Sequence, residues 1–315
     1  MKKKSKPRYQ IILCVLIALV LIAVALVCYF VPTGLLPAYS IPGRKEGEMR
    51  IHFLDVGQSD CTIVEFPEGD VLIIDAGDGA FATNNKLVRY VKGLRPTSVS
   101  MLLTHADSDH YGGFRTLLKS FDTEKFYIPV LNFDAEDYQK LLDGIEKEGC
   151  PVETLTRYSA IKRECGAYLI CLSPYSIGEE SENDSSTVLY LDYGGVRALL
   201  CGDITATREK RLAKEYALDE TLFDSGDFTV RLEGIEILKT AHHGSASSSS
   251  KEWLELIKPE SAIISCGRGN EYSHPAAETL ERLNAYSAVY RTDELGDVVA
   301  VIAAGDYTIH TGGLS

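Results

Sequence analysis

Residues 104–113 read Thr104-His105-Ala106-Asp107-Ser108-Asp109-His110-Tyr111-Gly112-Gly113, at the end of an apolar run over 99–104 that reads as a buried strand. Two imidazoles and two carboxylates this close together are the donor set of Zn²⁺, Mn²⁺ or Fe. A merely solvated loop does not call for so dense a group of ligand types. In a curled loop His105 and Asp107 face one metal ion while Asp109 and His110 face a second. The two glycines let the backbone approach closely before a helix begins.

The same device, a ligand at the C-terminal end of an apolar strand, recurs twice. Leu199-Leu200-Cys201-Gly202-Asp203 ends in a carboxylate where an unpaired charge is costly, and a place between two cations offsets that cost. Ile237-Leu238-Lys239-Thr240-Ala241-His242-His243-Gly244-Ser245 ends in two imidazoles. Neighbouring side chains diverge, so one of His242 and His243 ligates and the other orients or meets substrate. The expected chemistry is attack by water activated between two divalent metal ions, and phosphodiesters suit such a site best.

Outward from these stretches the chain alternates strands and helices. It opens as a hairpin over 49–56 and 61–66, turned at Gly57-Gln58-Ser59-Asp60, with a further strand at 71–75. Leu87, Tyr90, Val91 and Leu94 mark one helix face ending near Pro96. Strands are expected at 125–130, 168–172, 188–193, 196–201, 235–241, 261–266, 288–291 and 298–303. Helices are expected at 135–148, 206–217, 251–258 and 276–286. This order predicts an α+β arrangement of two sheets with helices outside.

The N-terminal side differs in kind. Residues 11–31 are apolar without a charge and are closed by Pro32. As a helix they would span roughly 30 Å, one hydrocarbon core. The run is long for a signal-peptide core and lacks a close cleavage site, so a transmembrane anchor is expected. The basic segment 1–10 should stay cytoplasmic, with 32–48 a Pro/Gly stalk and 49–315 the hydrolase domain on the outer face of the cell membrane. All five charges before residue 44 are basic, which leaves 27 basic against 45 acidic side chains beyond it, a net −18. So acidic a domain is not built for tight general binding to a phosphate backbone. Of the eight cysteines, Cys14 and Cys28 fall in the anchor, and no CxxC pair exists. Outside the cell a Cys150–Cys165 bridge is open to the chain.

His-x-Asp-x-Asp-His, Gly-Asp and His-His-Gly-Ser, in this order, resemble the metallo-β-lactamase superfamily. Phe53-Leu54-Asp55-Val56-Gly57-Gln58-Ser59-Asp60 and Gly267-Arg268-Gly269-Asn270-Glu271-Tyr272-Ser273-His274-Pro275 narrow the resemblance to the extracellular domain of ComEC-type competence proteins, the DNA-uptake channel family. The resemblance spans roughly residues 49–305. It implies a four-layer αββα sandwich with two divalent metal ions, Zn²⁺ or Mn²⁺, at one edge. Carried onto this chain, it assigns His105 and Asp107 to one metal, Asp109 and His110 to the other, and Asp203 to the bridge, with His242 the preferred last ligand and His243 beside it. Asp75 supports the ligands from behind. Asp109, His243 and His274 are the candidate catalytic groups. His52 and His310 read as ordinary packing or surface residues.

Two departures matter. No histidine occurs between His110 and His242; Asn183, Asp184 and Ser186 stand in that stretch, so one metal place is rich in oxygen. The chain also has one expected span, so it is not the channel. The function implied is an anchored extracellular nuclease acting on DNA near an uptake system. The alternatives are a phosphoesterase on cell-wall or head-group phosphodiesters, which the −18 balance favours, and a non-catalytic module binding nucleic acid or a partner.

Overall fold

The computed structural model describes residues 12–22, 37–129, 136–174, 181–216, 223–224 and 228–314. The chain lays down β1 (Met49–Phe53), β2 (Thr62–Glu65), β3 (Val71–Ile74), β4 (Val99–Leu102), β5 (Thr123–Pro129) and β6 (Val152–Leu155) in one sheet. It then crosses to a second sheet through β7 (Ala160–Lys162), β8 (Tyr168–Ser173), β9 (Val188–Tyr193) and β10 (Val196–Leu200). A short ribbon, β11 (Phe223–Asp224) and β12 (Thr229–Val230), precedes β13 (Ile237–Lys239), β14 (Ser261–Ile264) and β15 (Ala288–Arg291). Finally β16 (Val298–Ala303) and β17 (Asp306–Thr311) return to the first sheet beside β1. The orders are β17-β16-β1-β2-β3-β4-β5-β6 and β15-β14-β13-β10-β9-β8-β7.

The helices among the described residues are α1 (residues 12–22), ahead of the sheets, and then α2 (Phe81–Leu94), α3 (Ser108–Tyr111), α4 (Phe114–Ser120), α5 (Glu136–Glu148), α6 (Ala206–Tyr216), α7 (Lys251–Ile257), α8 (Ala277–Asn284) and α9 (Thr292–Leu295). Strand alternation sorts the side chains into three apolar interfaces. In β3, Val71 and Ile73 meet Leu87 and Val91 of α2 and Leu141 of α5, while Leu72 and Ile74 face the second sheet. In β8, Leu169 and Cys171 face the first sheet, and Ile170 and Leu172 meet α6 and α7 through Leu212, Trp253 and Leu254. Three cores between four layers make an αββα sandwich.

Several expectations change in detail. β6, β7 and β17 are strands that the sequence pattern does not predict; all three are sheet edges, and their mixed burial hides the alternation. Cys150 and Cys165 are both free, because one packs against the core under α5 and the other against the core between the sheets. Part of the expected stalk lies on the domain: Ile41 is buried in the α2 core, and Arg50 donates to the carbonyls of Pro42 (2.8 Å) and Gly43 (3.1 Å). Within the expected span 11–31, residues 12–22 are helical, and 11 and 23–31 lie outside the described residues. Among the described residues no helix is long and apolar enough to cross a membrane.

Candidate metal centre

Parallel pairing lines up β3, β4 and β5 in one sheet and β10, β13 and β14 in the other, so their C-terminal ends open at one edge of the sandwich. The loop after β4 carries His105 and Asp107. Asp109 and His110 sit on the short helix α3 rather than in a curled loop, and His110 is fully buried. Gly112 and Gly113 are required here, since a Cβ on either would collide with the backbone of Asp78 or Ala76. Asp203 follows β10, and His242-His243 follow β13 as two consecutive residues at left-handed φ, 52° and 53°. Asp75, after β3, is also left-handed at 59°. Such non-glycine outliers gather where a fold fixes a functional geometry.

The three buried site imidazoles are all held from behind. His110 Nδ1 donates to Asp75 Oδ2 at 2.7 Å, and His243 Nδ1 donates to the Ser265 carbonyl at 3.0 Å. Thr104 Oγ1 donates to Asp75 at 2.7 Å, so at 3.1 Å it accepts from His105 Nδ1. Each ring therefore turns its Nε2 inward, the support usual behind metal-ligating histidines. His243 Nε2 lies 3.3 Å from Asp109 and 3.7 Å from Asp203; His110 Nε2 lies 3.5 Å from Asp203 and 3.9 Å from Asp109. His105 Nε2 lies 3.3 Å from Asp107.

These inward atoms lack partners. Asp60 Oδ1, His105 Nε2, His110 Nε2, Asp203 Oδ1 and His243 Nε2 are buried without a hydrogen bond. Each such atom costs about 1–3 kcal/mol unless something satisfies it. Ligand atoms of Asp60, His110, Asp203 and His243 all lie within 4.8 Å of one another. Converging unpaired carboxylate and imidazole atoms are the donor set of a divalent cation, so these residues fit one. The electrostatics agree. Burial alone would raise Asp203, but His110 and His243 hold its carboxyl well below the ordinary value. Burial alone would lower His110, but Asp203 and Asp75 push it well above 6.5. The pocket draws positive charge.

The fold brings seven sequence candidates, His105, Asp107, Asp109, His110, Asp203, His242 and His243, to this edge. The two adjacent histidines trade places against expectation. His243 enters the tight cluster, whereas His242 is half-buried at the rim, its Nε2 3.9 Å from Asp203 and its Nδ1 3.5 Å from the Asn183 amide. His274 is at the rim too, its ring 5.7 Å from that of His242. The 181–187 stretch closes the side wall: Ser186 Oγ accepts from the Asp203 amide at 3.0 Å, and Asp184 accepts from Thr205 at 2.8 Å.

Three residues had no role in the sequence reading. Asp60 is drawn in through its backbone, which accepts from Gly77 N (2.8 Å) and donates to Asp109 O (3.2 Å). Buried Lys239 donates to Asp60 Oδ2 at 2.8 Å. Glu182 abuts Asp107, and burial together with that second carboxylate pushes its carboxyl up to about 7. A carboxylate in a turn and a lysine in a strand are too common to signal this in sequence; only the strand order joins them.

Residues 54–148 match the metallo-beta-lactamase superfamily. ComE operon protein 3 of Bacillus subtilis is 28% identical over 271 residues, covering 80% of this chain and 33% of that protein. Recombination protein 2 of Haemophilus influenzae is 28% identical over 253 residues, covering 79% and 28%. Competence protein ComA of Neisseria gonorrhoeae is 26% identical over 262 residues, covering 80% and 32%. The chain thus spans about a third of the length of these relatives. The metallo-beta-lactamase fold protein YhfI of Bacillus subtilis superposes with a TM-score of 0.51 at 11% identity, over 83% of this chain and 100% of that one. The chain is thus similar to the metallo-beta-lactamase superfamily over residues 54–148 and, over about four fifths of its length, to the ComEC-type competence proteins.

Proposed function

We propose that this protein is a membrane-anchored, metal-dependent phosphodiesterase whose substrate is DNA outside the cell. The observation that carries the reading is the set of buried, unpartnered Nε2 and carboxylate atoms converging at the strand ends. Asp109, His110 and His243 would hold one divalent ion with Asp60 close by, His105 and Asp107 the other, with Asp203 shared. Bound there, the ions supply Lewis acidity that activates water and neutralises the phosphodiester charge.

The chain's own residues do the rest. Asp75 and the Ser265 carbonyl fix the His110 and His243 rings, so the site is ordered before substrate arrives. Lys239 balances Asp60 and keeps its free oxygen turned inward. Gln58 Oε1 accepts from Gly267 N at 3.0 Å, which fixes the amide so that its Nε2 donates to His274 Nδ1 at 3.4 Å. His274 is thereby left with its proton on Nε2, placed to donate to a phosphate or leaving oxygen.

The substrate assignment draws support from the competence relatives, and the anchor from helix α1. Its apolar side chains, from Ile17 at 51% to Leu21 at 63%, are uncovered by the domain. A helix apolar on every face suits lipid. The test is hydrolysis of single-stranded DNA, RNA and glycerophosphodiesters by the full chain in detergent, with chelator and Mn²⁺ or Zn²⁺ add-back. Metal-restored cleavage of DNA is expected. Cleavage of glycerophosphodiesters alone would move the substrate to the cell wall or head groups, and no cleavage under any metal would end the enzyme reading. For topology, a cytoplasm-only reporter fused after Ser315 should be silent; an active one would put the domain inside.

A further inference from the structure

Three rings lead out of the site in near-parallel steps. The His274 ring lies 6.4 Å from that of His243 at 21°, and the Tyr272 ring lies 5.8 Å from His274 at 26°. Both spacings are within the range of offset-stacked aromatic pairs. Burial falls along the series: His243 is 3% exposed, His274 is half-buried, and Tyr272 is 63% exposed. Among the described residues of the domain no large apolar or aromatic side chain is more exposed than Tyr272.

The ring is displayed on a fixed loop. Asn270 accepts from His274 N at 3.0 Å and donates to the Gly267 carbonyl at 2.8 Å, and Ala276 N donates to Gly244 O at 2.9 Å. Among the described residues Tyr272 itself makes no hydrogen bond, and its ring contact is His274. The loop therefore holds an aromatic plate beside the metal cluster that contributes little to the domain's own packing.

We infer that Tyr272, stacked on His274, is a nucleobase-stacking subsite for the nucleotide next to the scissile phosphate of a single strand. The inference rests on the phosphodiesterase reading and deepens it. A base inside a duplex has both faces covered by its neighbours, so only an unpaired base presents a face to the ring. Every base has a π-face, so such a plate grips without reading sequence. The need for it follows from charge: a domain of net −18 has little general attraction for a phosphate backbone, and stacking supplies a grip that does not depend on charge. A glycerol or ribitol phosphate offers the ring no comparable face.

The test uses the full chain in detergent, loaded with Mn²⁺, on a single-stranded oligonucleotide and on the same strand with abasic residues. The wild type should prefer the base-bearing strand. That preference should fall about tenfold in Tyr272→Leu, which keeps apolar bulk but loses the ring, and persist in Tyr272→Phe. A preference unchanged in Tyr272→Leu, or none in the wild type, would overturn the subsite while leaving the phosphodiesterase intact. If no strand is cut, the enzyme reading fails and binding still decides the subsite. Quenching of a 2-aminopurine strand by the wild type and by Tyr272→Phe, lost in Tyr272→Leu, would support it; equal quenching in all three, or none, would refute it.

Discussion

Among the described residues of the domain, two clusters of buried histidine and carboxylate are built to opposite ends. Around His52, every group has a partner within the protein: Nδ1 meets the Tyr90 hydroxyl at 3.0 Å, Nε2 meets Glu65 at 3.2 Å, and Arg44 closes on Glu65 at 2.7 Å. Around His110, the outward ring nitrogens are tied down while the inward atoms of His105, His110, Asp203, Asp60 and His243 are left unsatisfied. A satisfied network contributes to the fold, whereas converging unsatisfied atoms need a ligand. Burial and residue type are the same in both; hydrogen-bond completion separates them.

The largest expected break comes at Asp203, the carboxylate proposed to be shared. Asp203→Asn should lower phosphodiester cleavage on the order of 10³-fold or more, with metal content lost and circular dichroism near native. Metal analysis beside initial rates checks this; retained metal with retained rate would remove Asp203 from the site. Glu65→Gln should do the reverse. It strands Arg44 and His52 and should cost about 3 kcal/mol in urea unfolding, with metal stoichiometry unchanged. A loss of metal in that variant would blur the distinction between the two clusters.

His274→Ala sharpens the boundary of the site. As a substrate-facing donor it should lower turnover roughly 10²-fold at unchanged metal content. Metal loss in that variant would make His274 a ligand instead. The smallest expected effect is on pH. Burial holds His52 below its ordinary 6.5, despite Glu65. A lowered folded value means the unfolded chain binds the proton better, so this stability is present above 6.5 and lost as pH falls toward the folded value. The wild type should lose urea stability relative to His52→Gln as pH drops below 6.5; parallel curves would contradict it.

The strand-end candidates were legible because each belongs to a local pattern, an apolar run closed within a residue or two by His105, Asp203 or the His242-His243 pair. The choice between His242 and His243 was not, since it depends on two consecutive left-handed residues that rotate the second ring inward. Asp60 was hidden for another reason: it reaches the cluster only because β2 and β3 share a sheet with β4, and because β13 delivers Lys239 from the other sheet. Periodicity found the central strands, whose faces are uniformly buried, and missed β6 and β7 with their mixed edges. The membrane assignment rests on composition, with residues 12–22 the described part of the run.

The site also divides within itself. The side at His110 and His243 gathers ligand atoms of Asp60 and Asp203 within 4.8 Å, while the side at His105 has Asp107, with no further imidazole between His110 and His242. Calorimetric titration of the chelated full chain with Mn²⁺ and Zn²⁺ tests the central claim. Two unequal binding steps are predicted, the tighter abolished by His243→Ala and both weakened by Asp203→Asn. No binding of either ion, or binding indifferent to both substitutions, would contradict the account.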